Sequence, residues 1–295
     1  VVAPRPVHDA RLDADEMTRP AHDGATARRL GQAGFELASS EARVVIDPFL
    51  SDYPGRLIAA PMTPGDLAEA DAVLVTHEHE DHLDLPALAS MPPSATVVIV
   101  PAPLAERVRA ALPGRAVGAA REGEPIELGG VVVTPIPVVH GVHVSDAYGF
   151  GVEGGGEHPY LGYVVEIGGV TVFHSGDALD YPELADTLRR RGVDVALLPI
   201  NGRDAEREAL DIVGNMTAAE AVDLAVRAGV STVIPMHYDM FAINPGPVGR
   251  FVDLVRDAAP ALHVLVPGLS TPVPLPAPPT PAPSTAAPST PGTPA

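Results

Sequence analysis

At 295 residues with 46% apolar side chains, the chain can bury a sizeable core as one large α/β domain or two small ones. It contains no cysteine and no lysine, which excludes disulfides, thiolate nucleophiles, Cys-based zinc sites, Schiff bases and P-loop lysine chemistry on this chain. A net charge of −19 repels a phosphate backbone, so nucleic acid is not an expected partner. A small-molecule substrate is expected instead, and an anionic one stays compatible because a local metal charge outweighs a distant field.

Residues 1–29 read as a polar leader without the charged head and apolar middle of a secretory signal. No stretch is long and apolar enough to span a bilayer, so a cytoplasmic protein without a membrane partner is expected. Residues 30–269 form a patterned body in which short β-branched runs alternate with Ala- and Leu-rich amphipathic stretches, the pattern of a layered α/β domain. Strands are predicted at Gly34–Leu37, Arg43–Asp47, Ala72–Thr76, Thr96–Val100, Val131–Val139, Tyr160–Ile167, Val170–His174, Val195–Pro199 and Thr232–Met236, with Gly168 and Gly169 as a two-residue hairpin turn. Helices are predicted at Pro103–Ala111, Pro182–Arg191, Ala218–Ala228 and Pro247–Ala258, the third opened by a Thr217/Glu220 capping box. Residues 270–295 carry ten prolines, and proline at that density favours an extended, disordered tail.

The chemistry concentrates in DAVLVTHEHEDHLD, Asp71 to Asp84, where a buried strand runs into a loop of histidines and carboxylates. His77, His79, Asp81 and His82 offer four metal-type donors in six residues, and the turn can aim the first two to one side and the last two to the other, so two adjacent metals follow. The spacing excludes a zincin, whose second histidine would fall at Leu83. His140 closes VVVTPIPVV, Asp177 follows VTVFH in the turn SGD, and His237 follows STVIPM. Each stands at or just beyond the carboxyl end of a predicted strand, where open α/β sheets collect ligand-binding groups. His143 is the alternative to His140, which is preferred because it terminates the apolar run; His174 reads as a packed residue or a partner to a ligand.

These residues resemble the metallo-β-lactamase superfamily, whose fold is a four-layer αββα sandwich binding one or two metals at the sheet edge. The resemblance implies that His77, His79 and His140 hold one metal, that Asp81, His82 and His237 hold a second, and that Asp177 bridges them. LGQAGF, IDPFL, THEHEDHLD, HSGD, LLPINGR and GNMT followed by IPMHYD are similar to the branch containing L-ascorbate-6-phosphate lactonase, which also leans towards a homo-oligomer.

The expected reaction is hydrolysis of a lactone or phosphodiester by a metal-activated water, with Asp81 orienting the nucleophile while it ligates and Asp177 between the metals. Zinc is the first expectation for the two divalent ions, with manganese or iron next, since sites of histidine and carboxylate select weakly. Arg203 is a candidate clamp for an anionic group. Tyr160, Asn201, Asn215 and Tyr238 are weaker candidates for contacting substrate. Two rival readings are a mononuclear-iron redox enzyme of the same fold and a non-catalytic metal-binding module with the Pro-rich tail as a partner ligand.

Overall fold

A computed structural model describes residues 24–152 and 156–276. The first half of the chain contributes β1 (Thr26–Gly31), β2 (Gly34–Ala38), β3 (Arg43–Ile46), α1 (Pro64–Leu67), β4 (Ala72–Leu74), α2 (Leu85–Ser90), β5 (Val97–Pro101), α3 (Ala105–Ala111) and β6 (Val117–Ala120). The second contributes β7 (Ile126–Leu128), β8 (Val131–Pro137), β9 (Leu161–Ile167), β10 (Val170–His174), α4 (Leu184–Arg190), β11 (Val195–Pro199), α5 (Ala205–Glu208), α6 (Ala218–Ala228), β12 (Thr232–Met236), α7 (Val248–Ala258), β13 (His263–Val264) and β14 (Pro272–Pro274). Two seven-stranded sheets result, in the orders β14-β1-β2-β3-β4-β5-β6 and β13-β12-β11-β10-β9-β8-β7. Strands β3 to β6 run parallel, as do β10 to β13, while the remaining neighbours are antiparallel.

The continuous apolar runs arise because these strands are covered on both faces. In β3, Val44 and Ile46 point into the core between the sheets while Val45 packs outward; Leu74 and Val73 of β4 divide in the same way. Leu197 of β11 faces the inter-sheet core and Leu198 the helices α4, α6 and α7. The layers are therefore helix, sheet, sheet, helix, the αββα sandwich of the metallo-β-lactamase fold. Tyr163 crosses between the sheets, its hydroxyl donating to the Val75 carbonyl at 2.7 Å.

Local chemistry accounts for the element ends. Gly168 (φ +54°) and Gly169 (φ +78°) close the β9–β10 hairpin with two left-handed residues, the geometry that matches strand twist. Helix α6 opens on the capping box, the Glu220 amide donating to Thr217 Oγ1 (3.2 Å) and the Thr217 amide to Glu220 Oε2 (2.8 Å). The cap is worth ~1 kcal/mol.

The ordered fold is wider than the 30–269 read from sequence. Strand β1 begins at Thr26, and β14 lies within the Pro-rich segment, pairing Ala27 with Val273 at the sheet edge, a position that tolerates proline. Strand β1 carries two arginines in a buried position because both are paired, Arg28 with Glu36 at 2.6 Å and Arg29 with Asp239. The rest of the leader and tail lie outside the described residues. No helix among the described residues is long and apolar enough to cross a membrane.

Candidate metal centre

The loop after β4 is held from two sides. Asp84 accepts from the Leu50 amide (2.8 Å) and the Ser51 amide (2.7 Å), and from the Ala87 amide (3.0 Å) at the start of α2. Between these anchors the His82 and Leu83 amides donate to the His79 carbonyl at 3.0 and 2.7 Å, a single tight turn that separates the donors of His77 and His79 from those of Asp81 and His82. Opposite, β8, β10 and β12 of the second sheet deliver His140, Asp177 and His237 from their carboxyl ends.

The seven donors fall into two groups: His77, His79, His140 and Asp177 in one, Asp81, His82 and His237 in the other, with the donor atoms of each group within 4.8 Å of one another. Asp177 turns its two oxygens in different directions. Oδ1 lies 3.3 Å from both His82 Nε2 and His237 Nε2, whereas Oδ2 faces His140 Nε2 at 3.8 Å. Asp81 Oδ2 completes the second group at 3.5 Å from His237 Nε2 and 3.9 Å from His82 Nε2.

The tautomers follow from the outward-facing nitrogens. The Thr76 hydroxyl donates to Asp47 Oδ2 (2.7 Å), so it accepts from His77 Nδ1 (3.0 Å) and leaves His77 Nε2 with a lone pair. His79 Nε2–H donates to the Val142 carbonyl (3.0 Å), leaving its Nδ1 with a lone pair. These two lone pairs face each other at 2.9 Å. A cation between them would reconcile the two, and one in the other group would give a partner to His82 Nε2 and Asp177 Oδ1, which are buried without a hydrogen-bond partner. Imidazole and carboxylate donors of this kind suit zinc, manganese or iron, so the residues fit divalent cations.

The surrounding shell orients the donors. His82 Nδ1 donates to Asp47 Oδ2 at 2.7 Å, and the Thr76 amide to Asp47 Oδ1 at 2.8 Å, a carboxylate–histidine pair that aims Nε2 at the site. His174 Nε2 donates to the Ala33 carbonyl (2.7 Å) and its Nδ1 accepts from the Gly176 amide (3.1 Å), which fixes the SGD turn under Asp177. Gly176 has φ +59°, and a Cβ there would lie 2.7 Å from Thr76 Cβ and Oγ1, so only glycine lets the turn approach the β4 loop. Gln32, Asp47 and His237 hold left-handed backbones (φ +51°, +47° and +59°), strain concentrated at the site.

Burial lowers the pKa of His77 well below its usual value, reinforced by the neighbouring His82, His79 and His140. Burial likewise takes His140 to about 3 against the opposing pull of Asp177. At His82 burial is outweighed by Asp177, Asp47 and Asp81, which hold the pKa well above the usual value. His237 follows the same logic, burial being overcome by Asp177 and Asp81 to give about 9. Burial would raise Asp81 and Asp177, but the His82 and His237 charges depress both. His77 and His140 thus stay neutral while His82 and His237 pair charges with Asp81 and Asp177.

The remaining sequence candidates divide. Tyr160 packs its ring edge on His140 (centroids 5.8 Å apart), with its hydroxyl donating to Asp146 at 3.3 Å. Arg203 is engaged bidentately by Glu220 at 2.7 and 2.8 Å and donates to the Asn215 carbonyl, so its fork is occupied within the fold. Asn215 donates to Asn201 (3.2 Å) and Asn201 to Asn244 (2.9 Å), an internal ladder. Tyr238 lies under the Arg29 guanidinium at 4.5 Å. His143 is exposed and pairs with Asp211 at 2.7 Å, outside both donor groups. Sequence reasoning assigned no role to Gln32 or Asp47. Both stood inside quoted motifs, LGQAGF and IDPFL, the only signal that marked them.

Comparison with known proteins gives the family. A model of the Beta-lactamase superfamily domain matches residues 42–238. A metal-dependent hydrolase of the UPF0173 family from Thermococcus onnurineus is 32% identical over 244 residues, covering 82% of this chain and 96% of that protein. Two solved structures share the fold: a metallo hydrolase from Ignicoccus hospitalis (TM-score 0.65, 22% identity, 84% of this chain and 97% of that one) and a possible metal-dependent hydrolase from Veillonella parvula (TM-score 0.67, 20% identity, 86% and 100%). With the family model spanning most of the body and the relative matched over nearly its whole length, the chain belongs to the metallo-β-lactamase superfamily and, within it, to the UPF0173 family of metal-dependent hydrolases.

Proposed function

We propose that the chain is a binuclear hydrolase that cleaves an uncharged small-molecule ester, a lactone or other cyclic ester before a phosphodiester. The observation that carries this reading is the division of the Asp177 carboxylate, one oxygen toward each donor group. Divalent cations held there supply Lewis acidity, making water acidic enough to serve as nucleophile near neutral pH and polarising the carbonyl it attacks. Zinc is the first choice, manganese or iron the second.

The protein's own part is to bind and orient. His77 and His79 present lone pairs from tautomers set by Thr76 and the Val142 carbonyl, and burial keeps His77 and His140 neutral. Asp81, its side chain 22% exposed, is placed to orient the attacking water while it ligates. Phe49, Tyr53 and Phe241 meet edge-on or tilted, with centroids 5.6, 5.8 and 6.2 Å apart. The Tyr53 hydroxyl hydrogen-bonds Glu80, which with burial and the Asp81 charge raises its pKa. This aromatic wall suits an apolar substrate arm.

The charge pattern favours the ester over the phosphodiester. Arg203 is held by Glu220 and Arg29 by Asp239, while Glu78, Glu80 and Asp81 sit on the motif loop. The lactonase-like motifs are therefore read as a statement about chemistry, and a phosphorylated substrate is not included. A one-iron redox centre leaves the second donor group without a purpose, and a non-catalytic module leaves the neutral, pre-set imidazoles without one. We further place the chain as a homo-oligomer acting in the cytoplasm on a small molecule.

Elemental analysis followed by hydrolysis assays tests the reading. Two zinc or manganese ions per chain and turnover of aliphatic lactones above an activated phosphodiester are expected, with Asp177→Ala losing both metal and turnover while remaining folded. One iron per chain with oxygen uptake, or full turnover by Asp177→Ala, overturns it.

A further inference from the structure

We propose that Gln32 is a ligand arm of the second metal position, its side-chain carbonyl oxygen facing a cation held by Asp81, His82 and His237. The assignment rests on the two-metal reading above and adds to it a residue of a type that metal-site patterns do not include.

Gln32 lies in the turn between β1 and β2, is 2% exposed, and holds φ +51°. Side chains other than glycine, asparagine and aspartate rarely adopt that backbone. Its own carbonyl accepts from the His237 amide at 3.0 Å, which joins the turn to the loop that carries the ligand. The side chain goes further than this link requires. Its amide nitrogen stands 2.6 Å from Asp81 Oδ2 and 2.9 Å from His237 Nε2, the same two atoms that face the second donor group. A cation on those atoms has the Gln32 carboxamide as its immediate neighbour.

The carboxamide has two ends of opposite polarity and nearly equal size. Without a cation, the N–H end donates to the Asp81 carboxylate, which is the arrangement seen here. A cation repels that end and attracts the carbonyl oxygen, and half a turn about the last side-chain bond exchanges the two in place. The exchange would add an uncharged oxygen to the second group, beside Asp81 and the Asp177 Oδ1 that lies 3.3 Å from His82 and His237. An amide oxygen beside a carboxylate makes the second position harder than the three-imidazole first position, and so more tolerant of manganese or iron. A purely structural tie between the two loops would be served by the backbone hydrogen bond alone and would not place the carboxamide on two ligand atoms.

The test measures metal affinity of the full chain by chelator competition with zinc and with manganese, independently of any substrate. Gln32→Asn tolerates the left-handed backbone and keeps the amide but is one methylene shorter, so the head is withdrawn. Gln32→Glu reaches as far and replaces the amide by a charged oxygen pair. Expected for Gln32→Asn is ~10–100-fold weaker binding of the weaker of the two cations with the tighter one unchanged, the range over which partners of metal ligands act. Gln32→Glu is expected to bind that cation at least as tightly as the wild type. The melting temperature of each chelated variant is the fold control and is expected to match the wild type. Two cations bound by Gln32→Asn with wild-type affinity, or equal weakening of both with a lowered melting temperature of the chelated protein, overturns the role of Gln32 alone. A wild-type chain that takes up only one cation overturns the two-metal reading and this assignment with it.

Discussion

Asp47→Asn isolates what the buried carboxylate does for the metal centre. Asp47 is fully buried and accepts from the Thr76 amide (2.8 Å), the Thr76 hydroxyl (2.7 Å) and His82 Nδ1 (2.7 Å). Asparagine has the same shape and tolerates φ +47°, so the backbone need not move. Its single oxygen stays with the Thr76 amide, whose N–H is fixed in the backbone, whereas the His82 imidazole can move its proton to its other nitrogen. The NH₂ group then falls where Oδ2 accepted from Thr76 and His82. The threonine hydroxyl can rotate to accept, but the His82 Nδ1–H cannot, and the imidazole escapes the clash only by carrying its proton on Nε2, the nitrogen that must ligate. Loss of one hydrogen bond to a charged acceptor costs ~1.5–3 kcal/mol of folding stability. The displaced tautomer should weaken metal binding by ~10–100-fold, or ~1.4–2.7 kcal/mol. Chelator competition on wild type and variant reads the second quantity and a chelated thermal melt the first. Unchanged metal affinity in a folded Asp47→Asn protein would falsify the view that Asp47 sets the His82 tautomer.

Two further outcomes follow from contacts described above. Gly176→Ala forces a Cβ to within 2.7 Å of Thr76 from a left-handed backbone, so metal content and melting temperature should both fall, the strain alone being of order 1–3 kcal/mol; retention of both would show that the turn can shift. Glu220, held by Arg203 and accepting from Thr217, has its pKa lowered from 4.5 to about 2, so its contribution to stability is complete above pH 4.5 and is lost as pH falls toward 2. The melting-temperature gap between wild type and Glu220→Gln should therefore be widest at neutral pH and shrink below pH 4.5, and a gap that widens on acidification would contradict the pairing.

What sequence reveals here depends on whether a role is carried by residue type or by contact. The seven donors were legible because histidine and aspartate at strand ends have few other reasons to collect, and the strand ends are marked by apolar runs such as VVVTPIPVV and STVIPM. Their division into two groups was legible in part from the alternating spacing of the loop. Gln32 was not, because glutamine is ordinary in turns and its meaning comes from β1 lying across the sandwich from His237. Arg203 looked like an anion clamp because it follows a strand in the right loop; that Glu220 already occupies it depends on α6 starting alongside. Strand β1 escaped because TARRLG reads as polar, and its arginines are buried only by virtue of Glu36 and Asp239, one of them distant in the chain. Strand β14 escaped because it is a three-residue piece, Pro-Val-Pro, at the head of a Pro-rich run, with too short an apolar pattern to stand out from it.

Each donor group draws on both halves of the sandwich: His77, His79, Asp81 and His82 come from the loop after β4, and His140, Asp177 and His237 from the opposite sheet. Cations seated there would act as crossbolts between two layers otherwise held together by side-chain packing and by a few hydrogen bonds such as those from Tyr163 to Val75 and from His237 to Gln32. Their binding free energy then becomes cohesion of the whole domain, ~2.7 kcal/mol for one site when the free ion stands at a hundred times its dissociation constant. The mechanical integrity of this protein would thus track metal supply in its surroundings, and starvation for metal would loosen the mouth where the sheets meet.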